Sequence, residues 1–141
     1  MLEDGEGTLW VGTHQGLNRM ERETGTFTRF RHDPGDAASL SNDQVRALHA
    51  DRHGTLWIGT GSPWGSETPA GDGGLNRFDP ETQTFTRYLH DPRDARTLRS
   101  DIVFALLEDR AGALWVGTAG GLSRFVPPAG AGEAGTFTTY R

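Results

Sequence analysis

Leu56-Trp57-Ile58-Gly59-Thr60 decides how this chain is read, because it occurs three times. It stands first as Leu9-Trp10-Val11-Gly12-Thr13 and last as Leu114-Trp115-Val116-Gly117-Thr118. Each copy leads to Gly-Leu-(Asn/Ser)-Arg, at 16–19, 74–77 and 121–124, and then to Thr-Phe-Thr, at 26–28, 84–86 and 136–138. Motifs recurring in fixed order denote one supersecondary unit whose apolar face is covered by stacked neighbours. The spacing is uniform once a single insertion between Thr60 and Gly74 is set aside. A unit of about 45 residues with short apolar runs matches a four-stranded propeller blade.

The second copy shows the strands most plainly: a over 45–50, b over 55–60, c over 74–78 and d over 84–89. These stretches are rich in Val, Ile, Thr, Phe, Tyr and Trp, which fit a pleated surface. Asp51-Arg52-His53-Gly54 lies between a and b, matched by Asp4 to Gly7 and Asp109 to Gly112, with Asp opening and Gly closing a tight turn. Pro80 interrupts between c and d, where no central ladder could continue. The same pattern predicts strands at 9–13, 16–20, 27–31, 102–107, 114–118, 121–125 and 136–140. No segment keeps apolar residues at helical spacing over three turns. Strand b carries Leu56 and Ile58 on one face and Trp57 on the other, so both faces need cover.

The expected fold is all-β, a β-propeller segment of three four-stranded blades. The blades are placed at about 1–42, 43–100 and 101–141, with an inserted loop at 61–73. Trp10, Trp57 and Trp115, with Gly12, Gly59 and Gly117, are its structural repeat positions. The first blade begins at Leu2-Glu3-Asp4, the end of a strand a, and closed propellers have about 4–8 blades. An incomplete propeller is therefore expected, closing with other blades in cis or as a homo-oligomer. Alone, the chain is expected to self-associate or to fold only in part.

Composition removes several functions. The net charge is −5 and all 14 basic residues are Arg, with no basic cluster to neutralise a phosphate backbone, so no nucleic-acid partner is expected. There is no cysteine, hence no disulfide, thiolate metal site or cysteine nucleophile. No run of about 18 apolar residues offers a membrane span. Residues 126–135 read as an expanded c–d loop in the third blade.

The string Glu-Asp-x-x-Gly-x-Leu-Trp-(Val/Ile)-Gly-Thr, followed by Gly-Leu-Asn-Arg-Phe, Thr-Phe-Thr-Arg-Tyr and Ser-Leu-Ser-x-Asp-x-Val, resembles the two-component regulator propeller repeat. It is carried by Glu3 to Val45, Asp51 to Val103 and Glu108 to Arg141, with His49-Ala50-Asp51 and Ser123 as departures. The resemblance implies a sensor: the periplasmic ligand-sensing propeller of a hybrid two-component receptor, often for a carbohydrate. A membrane span and histidine kinase would then belong to a longer parent. These residues hold no kinase motif or nucleotide-binding loop, so neither catalytic residues nor a cofactor are expected.

Antiparallel strands place the b–c turns and the d–a crossovers at one face of the propeller. That face collects His14-Gln15, the insertion, and the crossovers 31–42 and 90–100. The insertion holds Trp64, the one Trp outside the repeat, with Glu67 and Asp72. An aromatic plane beside carboxylates suits a sugar, which stacks its C–H face and hydrogen-bonds its hydroxyls. His14, His32, Asp33, His90 and Asp91 complete the candidate ligand-binding set. His-Asp-Pro at 32–34 and 90–92 is also turn-opening chemistry in its own right, and no metal site is expected. Asp43 and Asp101 read as turn caps before strand a. Arg19, Arg77 and Arg124 read as inter-blade ion pairs or stacked guanidiniums. Two other function classes stay open: a protein-interaction platform, and a propeller-fold lyase or glycan-processing enzyme. The enzyme needs an acid–base pair at non-repeated positions, where only Glu67, Asp72 and Glu133 stand.

Overall fold

The computed structural model describes residues 1–5, 7–33, 35–61, 73–91, 93, 97–98, 100–126 and 136–140. Among them every regular element is a strand. The first sheet contains β1 (Leu2–Glu3), β2 (Leu9–Thr13), β3 (Gly16–Glu21) and β4 (Thr26–Phe30). The second contains β5 (Val45–Ala50), β6 (Leu56–Gly61), β7 (Gly73–Asp79) and β8 (Thr84–Tyr88). The third contains β9 (Val103–Glu108), β10 (Leu114–Thr118), β11 (Gly121–Val126) and β12 (Thr136–Tyr140). Each sheet is an antiparallel meander in chain order. The strands expected from sequence lie within about a residue of these at both ends, which is where periodicity is least informative.

Neighbouring sheets stack into blades, and the contact between them concentrates on the first strands, β5 against β9 and β2 against β5. Two apolar clusters form between the blades. Trp10, Leu17, Val45, Ile58, Phe78 and Phe85 fill the first interface, and Trp57, Leu75, Val103, Val116, Phe125 and Phe137 fill the second. Each interface draws rings from strands b and d of one blade and from c and d of the next. Trp10 lies edge-on to Phe78 at 5.1 Å, and Trp57 lies edge-on to Phe125 at 5.4 Å. The middle blade is thus covered on both sides, and all six residues of β6 are buried while β2 and β10 are only partly so. The two apolar faces of strand b have their physical explanation there.

The repeated glycine of strand b has a steric cause. A methyl group at Gly12 would lie 2.5 Å from Val45 Cγ1, and one at Gly59 would lie 2.5 Å from Val103 Cγ1. The first valine of each strand a therefore seats on the bare backbone of the blade before it. Polar groups also cross between blades: Arg52 donates to Glu108 Oε2 and to the carbonyls of Asp109 and Arg110.

Arg19 and Arg124 differ from expectation in one respect. Their guanidiniums do stack, over Trp10 and Phe30 and over Trp115, but their ion pairs are with Glu21 and Asp109 of the same blade. Strand pairing places Trp10 directly opposite Arg19 and Trp115 opposite Arg124, so the cation is held within its own sheet.

Candidate functional site

The face formed by the b–c turns and d–a crossovers is built by one device used twice. After β4 the chain turns at His32, whose backbone N–H donates to Asp43 Oδ1 at 2.7 Å, while its ring Nδ1 contacts the Leu40 carbonyl at 2.7 Å. After β8, His90 donates its N–H to Asp101 Oδ1 and places Nδ1 2.6 Å from the Leu98 carbonyl. A carbonyl only accepts, so Nδ1 carries the proton in both rings. The Arg87 guanidinium also lies 3.5 Å from His32 Nδ1, but two donors cannot bond each other, and the shorter carbonyl contact fixes the tautomer. Leu40 and Leu98, fully buried, peg each crossover into an inter-blade core.

The aspartates beside these histidines work on the same loops. Asp33 Oδ1 accepts the Gly35 N–H at 2.9 Å, and Asp91 Oδ1 accepts that of Arg93 at 2.9 Å. Their own N–H groups donate to Ser39 and Thr97 side chains across the crossover. His32, Asp33, His90 and Asp91 thus shape the rim through loop-closing bonds, and His14 is exposed in the β2–β3 turn. Asp43 and Asp101 close the crossovers on the backbone of His32 and His90 rather than capping only their own turn. Among the described residues no three His, Asp or Glu side chains gather as a metal-holding group.

Trp64, Glu67 and Asp72 lie outside the described residues, but the roots of their insertion do not. Gly61 and Gly73 pair with each other, and a Cβ on Gly73 would meet the Asp101 carbonyl of the next blade at 2.6 Å. The insertion therefore leaves and re-enters the blade beside the clamp that holds His90. Arg46 fixes one root, its Nε donating to the Gly61 carbonyl at 2.6 Å. A bulge makes this reach possible: the register steps from Val45–Thr60 to Ala47–Gly59, leaving Arg46 as the extra residue. Arg46 is absent from the sequence-derived set. Its signal was a lone cation in a strand a whose third-blade counterpart is Phe104.

The crossover is held from its other side by Arg87 of β8. Its Nε donates to the Ser39 carbonyl at 2.9 Å, and one terminal nitrogen reaches Ser39 Oγ at 2.9 Å and the Asp36 carbonyl at 3.1 Å. Beneath it, Ser41, Thr60 and Asn76 form a buried network. Ser41 Oγ lies 2.8 Å from Thr60 Oγ1, and Asn76 both accepts from the Ser41 N–H and donates to Ser41 Oγ. These bonds tie the described part of the first crossover to β7 and β8. Near the opposite face, the a–b and c–d turns of the first blade leave an open polar groove of about 520 Å3 between Thr8 and Arg22.

Comparison with known proteins accords with this architecture. Residues 39–62 and 97–120 match the two-component regulator propeller family. The two matched segments run from the end of a crossover through strands a and b of the second and third blades. Its backbone superimposes with a TM-score of 0.78 on the extracellular domain assigned to a hybrid two-component system of B. thetaiotaomicron, at 24% identity, over 99% of this chain and 17% of that one. A second such domain from B. thetaiotaomicron gives 0.66 at 24% identity, over 94% of this chain and 17% of the other. A protein assigned as a gluconolactonase gives 0.62 at 18% identity, over 96% of this chain and 46% of that one. The chain spans about a sixth of the length of the two-component structures. No curated protein matches the sequence. At these identities the likenesses establish the fold.

Proposed function

We propose that this chain is a ligand-sensing segment of the extracytoplasmic propeller of a bacterial two-component receptor, with a carbohydrate held at the face of the b–c turns and crossovers. The observation that carries this reading is the match of the repeat to the two-component regulator propeller family, supported by superposition over 99% of the chain on an extracellular domain of a hybrid two-component system. The rim supplies what a sensor needs, a scaffold fixed by Arg87 and the Ser41–Asn76 network, with one non-repeated insertion rooted on it. Trp64, Glu67 and Asp72 are the residues assigned to stack on and hydrogen-bond the sugar, with Arg46 at the root. Kinase activity and the membrane span would belong to a longer protein.

Catalysis is not part of the proposal. Asp33 and Asp91 each use one carboxylate oxygen to accept a backbone N–H of their own loop, and likeness to a gluconolactonase speaks only of fold. The test is titration with a panel of neutral and acidic oligosaccharides, followed by calorimetry and tryptophan fluorescence. A binding sugar should change the fluorescence, and Trp64→Phe should remove most of that change and weaken binding while the fold persists. A ligand that perturbs only 51–54 and 109–112, at the opposite face, would refute the assignment.

A further inference from the structure

The first strands of the second and third blades break step at the same place. In β5 the pairing passes from Val45–Thr60 to Ala47–Gly59, and in β9 from Val103–Thr118 to Ala105–Gly117, so Arg46 and Phe104 are each the extra residue. The valine before each is fixed, seated on the strand-b glycine of the preceding blade. The residue after it belongs to no ladder pair, and a bulge re-aims such a side chain. Packing leaves its identity open, and the two blades fill it differently, with a guanidinium and a phenyl ring.

The two positions are neighbours. β5 and β9 are the first strands of their blades, where the blades meet at the inner edge of the fan. Val103 Cγ1 and Ala47 Cβ both crowd Gly59, at 2.5 and 3.3 Å from where its Cβ would stand, so Phe104 and Arg46 flank one junction. Phe104 is 42% exposed, although it is a large apolar residue within a strand. Arg46 is half-buried and commits only its Nε, to the Gly61 carbonyl at the root of the insertion. Its terminal nitrogens have no partner among the described residues. Arg52 and Arg87, by contrast, turn theirs on carbonyls of neighbouring loops, those of Asp109 and Asp36. Arg46 alone of the three is an anchored stem with an open fork.

We infer that Arg46 and Phe104 are a specificity pair for an acidic sugar, the guanidinium taking a carboxylate or sulfate of the ligand and the ring lying under its C–H face. The inference rests on the reading of this face as the sensing rim, and it adds the charge of the ligand. A planar fork already held through Nε matches two oxygens of such an anion and loses little freedom on binding it. An aromatic ring offers the flat apolar contact that a pyranose C–H face needs. Glu67 and Asp72 are assigned to hydroxyls, so the negative charge of the ligand falls to Arg46.

The probes are a uronate oligosaccharide, its carboxyl-reduced neutral counterpart and a sulfated oligosaccharide of the same length, titrated by calorimetry against the whole chain. The uronate or the sulfated sugar should bind at least about tenfold tighter than the neutral one and weaken as salt rises. The arm that shows this preference identifies the anion. Arg46→Gln should remove the preference and leave the affinity for the neutral sugar unchanged. Arg46→Lys should keep the salt dependence but only part of the affinity, and it carries the test if Arg46→Gln fails to fold. Phe104→Leu should weaken charged and neutral sugars alike. A preference for the neutral sugar, or an Arg46→Gln that weakens all three equally, would overturn the inference and leave sugar sensing standing. Binding of none of the three would overturn both. An acidic preference that Arg46→Gln abolishes and Trp64→Phe leaves untouched would uphold the pair and remove the insertion from the site.

Discussion

Trp57 Nε1 donates to Asp51 Oδ2 at 2.9 Å, tying the start of strand b to the turn that precedes it. The other oxygen of that carboxylate accepts the N–H groups of His53 and Thr55, each at 2.9 Å. Trp10 with Asp4 and Trp115 with Asp109 repeat the bond at the same length. One aspartate therefore closes the a–b turn and satisfies the indole N–H, and in the first two blades the body of that ring lies in the inter-blade core. Asp, Gly and Trp recur together because they form one local device.

Asp51→Ala should be costly, since it strips a charged acceptor from the half-buried Thr55 N–H and Trp57 indole N–H as well as from the exposed His53 N–H. The expected loss is about 2–4 kcal/mol in urea unfolding, with hydrogen bonds to charged groups contributing about 1.5–3 kcal/mol each. Trp57→Phe removes one donor and some volume but keeps an aromatic ring, so it should cost less than Asp51→Ala. Equal losses would mean that the turn bonds contribute nothing.

Asp109 titrates abnormally low, chiefly because its carboxylate accepts the Trp115 indole N–H, then the Ala113 N–H, with Arg124 adding a favourable charge. A carboxyl depressed in the folded state stabilises it fully above its unfolded pKa of about 4, and that contribution fades as pH falls toward the folded value. Stability measured from pH 6 down to pH 2 should therefore drop below about pH 4. Asp109→Asn should start lower and show a shallower drop. Identical slopes for the two proteins would remove Asp109 from the account.

The polar network under the rim differs between blades in a way that can be measured. Asn76 is fully buried and bonded to Ser41, whereas Ser123, its third-blade counterpart, is fully buried with no partner for its hydroxyl among the described residues. Asn76→Ala should cost about 1–3 kcal/mol, because it strands the Ser41 groups. Ser123→Ala should be neutral or slightly stabilising, since it deletes an unmatched buried polar group. Denaturant midpoints of the two variants decide the matter.

Much of this was legible in the sequence because the repeat encodes it locally. Val45 and Phe85 alternate with polar neighbours, Trp57 sits in a short apolar run, and Asp51 and Gly54 bracket a turn, so strands and turns follow from short-range pattern. What escaped were relations between distant segments. The Trp57–Asp51 bond needs the folded turn geometry, and the Gly59–Val103 contact joins residues of different blades. The rings of His32 and His90 face Leu40 and Leu98 carbonyls, which no spacing rule foretells. A cation recurring in strand c suggests an inter-blade ion partner or a stacked guanidinium; Arg19 and Arg124 do stack, and they also have an ion partner. Strand register gave them one in their own sheet.

Arg87 offers the sharpest link between the scaffold and the candidate site. Its guanidinium spans Ser39 and Asp36 and brings the first crossover down onto β8, where the Phe85 N–H also bonds the Ala38 carbonyl at 2.7 Å. Lysine keeps the charge but has no planar fork, so it cannot serve Ser39 and Asp36 at once. Arg87→Lys should therefore loosen 35–44 while leaving β6 and β7 intact. Hydrogen exchange should show faster exchange at Ser39 and Asp36 and unchanged protection at Ile58 and Asn76. If the crossover is part of the sensing rim, oligosaccharide affinity should fall with it, by about tenfold for each 1.4 kcal/mol of rim ordering lost. Faster exchange with unaltered affinity would confine the ligand to the insertion side of the rim, and unaltered exchange would show that the Phe85 strand pairing holds the crossover by itself.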